Sequence, residues 1–396
     1  MDQVIIVGAG VLGLSTAYHL AKKRFGRIML IDKGPVGDGS SSRAAGIITG
    51  LMWSESGVRV RKRCLKLFAD LSNELTGYQF QQVGCLTLFD PDAWSDREKL
   101  LPLYVRLCAP FEILSPEEIV KRWPALQPRA DVIGLYDPLG GYSEPSEYIP
   151  AMKQRVVQLG VEIYENQQVR GFELRNGKVA GVETADGRIE ADIVVSTVYS
   201  WTRALLHTVG LELAVKCFVH QRYLTTPLTL PVGIPAVNAN PYFGYVRPAL
   251  GGRLLAGLET AERQDYEVNS LDFHLSQIEN PAHLPADLRR NLVPLVPALA
   301  TVDFESEKVG LLTFSMDLEP VLGPVNALPG LLLALAFHSG GFAYNPGAGE
   351  LLAEFVCQGR TCVDVSSWSP DRFNVEETKE YLGTKIQQKD VGRRRH

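Results

Sequence analysis

With 396 residues, 45% of them hydrophobic and 21% charged, the chain can bury more than one core and has the composition of neither a disordered nor a coiled-coil protein. A formal net charge of −5 leaves no chain-wide basic field and excludes nucleic acid as an expected partner, while six scattered cysteines without CxxC pairs or zinc-finger histidine spacing exclude a metal site and read as reduced core thiols. The longest apolar run near the end, residues 330–337, falls far short of the roughly 20 residues that a membrane-spanning helix needs.

In chain order, the first predicted element is a short β-branched strand, VIIV at residues 4–7. Starting this close to Met1, it leaves no room for a signal peptide, so a cytoplasmic location is expected, with peripheral membrane association as the alternative. The strand runs into Gly8, Ala9, Gly10, Val11, Leu12 and Gly13 and then into the helical pattern LSTAYHLAKK. This is the strand, glycine turn and helix of a dinucleotide site: Gly8 permits the turn, Gly10 lets backbone approach a pyrophosphate, and Gly13 allows helix and strand to pack closely. Phosphates are then expected at the helix N-terminus, where free N–H groups and the dipole favour anions. A second strand, Arg27–Ile31, ends in Asp32, about twenty residues beyond the turn, where a carboxylate can accept from ribose hydroxyls.

After Asp32 and Lys33 comes GPVGDGSSSRAAGII, a run of small and hydroxyl residues that would also suit a surface loop. Here the sequence resembles the D-amino-acid oxidase superfamily of FAD-dependent oxidoreductases, which includes the glycine oxidase, sarcosine oxidase and dye-linked L-proline dehydrogenase types. The resemblance implies that Gly39, Ser40, Ser41, Arg43, Ala44, Ala45, Gly46 and Ile47 wrap the FAD pyrophosphate and reach the isoalloxazine. It extends to about residue 373 and implies an α/β fold: a Rossmann-like FAD-binding domain of the glutathione-reductase-2 type, with a discontinuous α+β substrate domain on a mostly antiparallel sheet. Residues 1–80, 146–212 and 305–373 are assigned to the FAD-binding domain, 81–145 and 213–304 to the substrate domain, and 374–396 to a solvated tail ending in Arg393, Arg394 and Arg395.

Further along, GVEIYENQQVRGFELRNGKVAGVETADG resembles a strand entering an FAD contact at Val169, followed by a hairpin turning at Asn176-Gly177. ADIVVSTVYSW resembles the strand returning beneath the adenine side and ends at Trp201. VHQRYLTTP and YVRPALGGRLLAGLE resemble long strands of the substrate domain, the second pair turning at Gly251-Gly252. Helical patterns are expected at residues 268–279 and 286–295. Residues 330–337 read as a buried strand, His338 to Gly341 as a turn, and 346–357 as a helix opening on a proline. By resemblance, Ser339, Gly340, Gly341, Phe342, Ala343 and Tyr344 meet the flavin pyrimidine.

Where relatives attach FAD through a cysteine this chain has Gly310, so the FAD is expected to be non-covalent. Three cationic substrate anchors of the family are replaced by Leu312, Thr49 and Ala343. A substrate carboxylate would then need Arg222 or Arg247 as its bidentate fork, although either could be a surface residue. His338 could orient a substrate or accept a proton, Tyr245 and Tyr344 could lid the pocket, and Met52 and Trp53 are further wall candidates; each could equally be structural. The expected reaction is oxidation of the C–N bond of a small amine or amino acid, proline-, glycine- or N-methyl-amino-acid-like, by hydride transfer to flavin N5 to give an imine. Oxygen, a quinone or a partner protein would reoxidise the flavin, with homo- and hetero-oligomers both open. The rivals are a non-catalytic or electron-transfer flavoprotein subunit of a larger dehydrogenase complex and an NAD-dependent dehydrogenase.

Overall fold

The computed structural model of the protein describes residues 2–229, 232–259 and 265–385. A six-stranded sheet runs Val321–Pro324, Leu331–Leu335, Ile193–Ser196, Gln3–Val7, Arg27–Ile31 and Glu162–Tyr164 from edge to edge. Its neighbours are parallel except at the Val321–Pro324 edge. Unbroken apolar runs at its centre suit strands covered on both faces. The helices Val11–Lys22 and Gly341–Gln358 cover one face, and they approach closely because a Cβ on Gly349 would stand only 2.5 Å from Ser15 Oγ. The other face carries the antiparallel strands Val169–Arg175, Lys178–Thr184 and Gly187–Glu190, whose Phe172, Val179 and Val182 pack on Ile5, Met29 and Val194. The expected hairpin turns at Asn176 and Gly177, both left-handed with φ of 55° and 75°.

An eight-stranded sheet runs Phe304–Ser315, Val215–Thr225, Arg253–Leu258, Gly244–Ala249, Ala236–Ala239, Cys85–Phe89, Ile133–Asp137 and Glu112–Leu114. It is antiparallel except between Ala236–Ala239 and Cys85–Phe89. The helix Leu284–Leu292 seals one face with Leu284, Leu288 and Leu292, spaced one turn apart. The opposite face presents His220, Asn238 and Tyr245 to a cavity between the two sheets.

Several expectations are corrected. Residues 268–279 form no α-helix, only the short 3-10 turn Leu275–Gln277, because the carbonyls of Leu271 and Phe273 accept from Lys33 Nζ, and that of Phe273 also from Trp201 Nε1, instead of from helical N–H groups. The helix expected at 286–295 spans Leu284–Leu292 and stops before Pro294. Pro346 lies inside a helix that begins at Gly341; the Phe342 carbonyl that residue 346 would have served accepts Asn345 Nδ2 at 2.6 Å. Phe304–Ser315 belongs to the eight-stranded sheet, so the return to the first sheet comes at Val321 rather than at 305. The stretch read as a tail opens with the helix Val375–Gly383, started by an Asn374–Glu377 capping box and anchored by buried Tyr381; Arg393 to Arg395 lie outside the described residues. Cys64, Cys85 and Cys217 are buried free thiols, whereas Cys108, Cys357 and Cys362 are exposed, so a core role fails for those three.

Candidate active site

The carboxyl ends of the parallel strands deliver the loops that line the cavity, the position at which open α/β sheets take ligands. After Val7 the chain turns at Gly8, whose φ is +102°, and its N–H is held by the Ile31 carbonyl at 2.8 Å. Gly13 packs beneath this corner so closely that a Cβ would lie 1.9 Å from Gly8 O. The helix Val11–Lys22 has no side chain capping from its N-cap residue Gly10 and no acidic residue in its first turn, while Ser41 Oγ accepts the Val11 N–H at 3.0 Å. Asp32 accepts the N–H groups of Ala9 at 2.7 Å and Gly34 at 2.9 Å; burial raises its carboxyl above the ordinary value and these bonds oppose that shift. At the far end of the cavity the helix Gly341–Gln358 also begins without a side-chain cap or an acidic residue in its first turn. Two helix N-termini thus direct positive partial charge into one cavity.

Most of the residues expected to hold a cofactor line this cavity: Gly8, Gly10, Val11, Leu12, Asp32, Lys33, Gly39, Ser40, Ser41, Arg43, Ala44, Ala45, Gly46, Ile47, Val169, Trp201, Ser339, Gly340, Gly341, Phe342 and Tyr344. Ala9, Gly13 and Ala343 do not. Ala9 spends its N–H on Asp32, Gly13 is the packing glycine, and Ala343 is buried in the helix core. Lys33 donates to two carbonyls and lies 4.3 Å from the Trp201 ring centroid, with burial pulling its ammonium down to about 8. It straps residues 271–275 over the cavity. Arg43 donates to the Asp38 and Gly39 carbonyls and occupies the space above Gly310, where an added Cβ would meet its side chain at 3.2 Å.

Arg222 and Arg247 are corrections, for neither lines the cavity. Arg222 donates to the carbonyls of Arg43 at 3.1 Å and Ser42 at 2.8 Å. Arg247, fully buried, grips Glu144 through two bonds of 2.7 and 2.9 Å and the Ala45 carbonyl through Nε. Both guanidinium groups stitch the 42–45 backbone to the eight-stranded sheet. His338 does line the cavity, in a left-handed conformation with φ of 54°, its ring stacked on Phe314 at 4.9 Å. Burial drives its imidazolium down to about 3, so the ring is neutral at pH 7 and Nε2 lacks a partner among the described residues. Tyr245 and Tyr344 line the cavity too; Tyr245 Oη lies 2.9 Å from His220 Nε2, and burial holds the Tyr344 phenol protonated. Met52 and Trp53 also belong to the wall.

The sequence reading missed Arg61, His220, Asn238, Glu259 and Glu319, all of which line the cavity. Arg61 was detectable. Gly57, Arg61, Cys64, Leu65, Phe68 and Leu71 recur at helical spacing and form the buried stripe of the helix Glu55–Glu74, which puts an arginine on an apolar face.

The family described as FAD dependent oxidoreductase matches residues 3–355 of the chain. The chain belongs to this family. FAD is therefore the cofactor, which removes the nicotinamide alternative, and the acid-free helix N-termini and side-chain-free glycine corner fit it. Among relatives of this FAD-dependent oxidoreductase, the mitochondrial pyruvate dehydrogenase phosphatase regulatory subunit of Mus musculus is 25% identical over 392 residues, 97% of this chain and 44% of the relative. Mitochondrial dimethylglycine dehydrogenase of Homo sapiens is 24% identical over 402 residues, 98% of this chain and 46% of the relative. Sarcosine oxidase subunit beta of Rhodobacter capsulatus is 25% identical over 367 residues, 90% and 85%. The chain thus spans about half the length of the first two relatives. The crystal structure of L-proline dehydrogenase from P. horikoshii superposes with a TM-score of 0.85 at 25% identity, covering 94% of this chain and 97% of that one. Glycine oxidase from Geobacillus kaustophilus shares the fold with a TM-score of 0.82 at 24% identity, covering 94% and 100%.

Proposed function

We propose that this flavoprotein oxidises the C–N bond of a small amine or amino acid, removing hydride from the carbon beside nitrogen and leaving an imine that water hydrolyses. Bound FAD supplies the two-electron acceptor. The observation that carries the reading is the pair of helix N-termini that open into one cavity with no cap from their own N-cap glycines and no acidic residue in their first turns. Gly8, Gly10 and the Val11–Lys22 N-terminus hold phosphate, Asp32 holds ribose, and the 39–47 loop, tied down by Arg222 and Arg247, forms the wall between the two sheets. The Gly340-Gly341 corner puts positive partial charge where the electrons arrive. Tyr245, Tyr344, Met52 and Trp53 shape a substrate pocket, and neutral His338 serves as a hydrogen-bonding group rather than a charged acid. FAD is held non-covalently, with Arg43 packed over Gly310. The six-stranded sheet acts as the cofactor domain and the eight-stranded sheet as the substrate domain.

The relatives named for dimethylglycine and sarcosine support this substrate class, and the subunit name of one supports assembly with other chains. The final acceptor is oxygen, a quinone or a partner protein; no helix among the described residues is long and apolar enough to cross a membrane. Anaerobic addition of glycine, proline, sarcosine and dimethylglycine to the yellow protein tests the proposal: at least one should bleach the flavin absorbance within a turnover. A second reading, a flavoprotein subunit without turnover, is favoured by the regulatory name of the mouse relative. On that reading no amine bleaches the flavin although dithionite does.

A further inference from the structure

Tyr199 follows the Ile193–Ser196 strand and is half-buried, with its ring on the cavity wall. Its hydroxyl joins two further elements. It donates to the His338 carbonyl at 2.7 Å and accepts the N–H of Thr313, from the Phe304–Ser315 strand, at 3.2 Å. Thr313 in turn accepts the His338 N–H through its carbonyl at 3.2 Å. The backbone of His338 is therefore held on both sides, its N–H by the eight-stranded sheet and its carbonyl by Tyr199. Burial raises the Tyr199 phenol above its ordinary value, so the hydroxyl keeps its proton and remains a donor at neutral pH.

The corner held in this way is strained. Ala336 and His338 have φ of 56° and 54°, and Tyr199 itself 51°, left-handed conformations that residues other than glycine keep only where surrounding contacts enforce them. A peptide unit is planar and trans, so tying the His338 carbonyl to Tyr199 also sets the direction of the Ser339 N–H on its opposite edge. Ser339, Gly340 and Gly341 are partly exposed and line the cavity, and an added Cβ on Gly341 would lie 3.8 Å from the Tyr199 ring.

We propose that Tyr199 is a positioning residue for the flavin: its hydroxyl fixes the Ser339 to Gly341 backbone in the orientation that stabilises the electron-rich reduced ring. The inference rests on the proposed placing of the flavin at this corner and adds the group that sets the corner's geometry. Backbone dipoles fixed in advance need no reorganisation when charge arrives, and a corner free to rotate gives up part of that stabilisation.

The test is the reduction potential of the FAD-loaded full chain, measured by anaerobic titration with dithionite against reference dyes, which needs no substrate. Y199F removes the hydroxyl and keeps the ring. It should retain FAD and shift the reduction equilibrium roughly tenfold toward oxidised flavin, which for a two-electron couple lowers the potential by about 30 mV. T313V is the control: it strips the Oγ1 that meets Ser200 Oγ and Cys217 Sγ but leaves the residue 313 N–H on Tyr199, so the potential should stay at the wild-type value even where stability falls. Should Y199F fail to retain FAD, hydrogen exchange of the cofactor-free proteins decides. The His338 and Gly340 amides, bonded to the carbonyls of Thr313 and Phe337, should then exchange roughly tenfold faster in Y199F than in wild type or T313V. A wild-type potential in FAD-loaded Y199F, an equal shift in T313V, or unchanged exchange in a Y199F protein without FAD would overturn the proposal. If no amine bleaches the flavin but the potential shift holds, the strut stands and the amine-oxidising reading alone fails.

Discussion

Replacing Gly13 by alanine puts the glycine-corner argument at risk in a single methyl group. The added Cβ would stand 1.9 Å from Gly8 O and 3.1 Å from Thr197 Oγ1, so the Gly8 carbonyl must retreat by about 1.5 Å to reach an ordinary 3.4 Å contact. That carbonyl also accepts Thr197 Oγ1 at 2.9 Å, a bond lost in the retreat at a cost of about 1 kcal/mol. With about 1–3 kcal/mol for overpacking, the variant should lose roughly 2–4 kcal/mol. Because the displaced group is the turn itself, most of the loss should appear in cofactor affinity, at about tenfold per 1.4 kcal/mol. The assay is FAD content after gel filtration, then calorimetric titration of the apo-protein with FAD. Gly233→Ala is the control, since nothing lies within 4 Å of its added Cβ. A Gly13→Ala protein that keeps FAD with wild-type Kd would refute the reasoning.

Three further outcomes follow from particular side chains. Arg247→Met strands the buried Glu144 carboxylate and should destabilise the fold by roughly 3–5 kcal/mol in urea melts, with E144Q/R247M regaining part of the loss. For Lys33, whose folded value is depressed to about 8 from 10.5, the unfolded chain holds more protons between those values, so wild-type stability relative to K33M should rise as pH climbs from 8 to 10.5, measured by chemical denaturation at each pH. His338, held at about 3 against an ordinary 6.5, takes up its proton more readily when unfolded; wild type should lose stability relative to H338L as pH falls from 6.5 toward 3, and no ring titration should appear by NMR between pH 5 and 8.

The first fifty residues were legible because a glycine turn is a local device: strand, corner, helix and Asp32 are fixed by φ requirements and spacing that no distant contact overrides. The second glycine corner was legible for the same reason, although the helix after it begins before Pro346 because Asn345 serves the orphaned Phe342 carbonyl, a side-chain contact no helix-start rule anticipates. The segment 268–279 was misread because its apolar spacing is helical while its carbonyls are claimed by Lys33 and Trp201, more than 60 residues away in the chain. Arg222 and Arg247 looked like pocket cations because they sit on strands that floor the cavity, but alternation sends a side chain to one face without saying whether a loop lies in between. Arg61, which also lines the cavity, was hidden among its helix neighbours Arg59 and Arg63, which form ion pairs on the outside.

In the proposed function the corner at Gly8 to Gly13 and the corner at Gly340-Gly341, which line one cavity, hold the two ends of one FAD. Titrating the apo-protein with FAD, FMN and ADP tests it most directly. One FAD should bind per chain, with ADP competing for the same site and FAD bound far more tightly than either fragment. A correctly folded, colourless protein that FAD cannot reconstitute, or one that binds FMN as tightly as FAD, would contradict it.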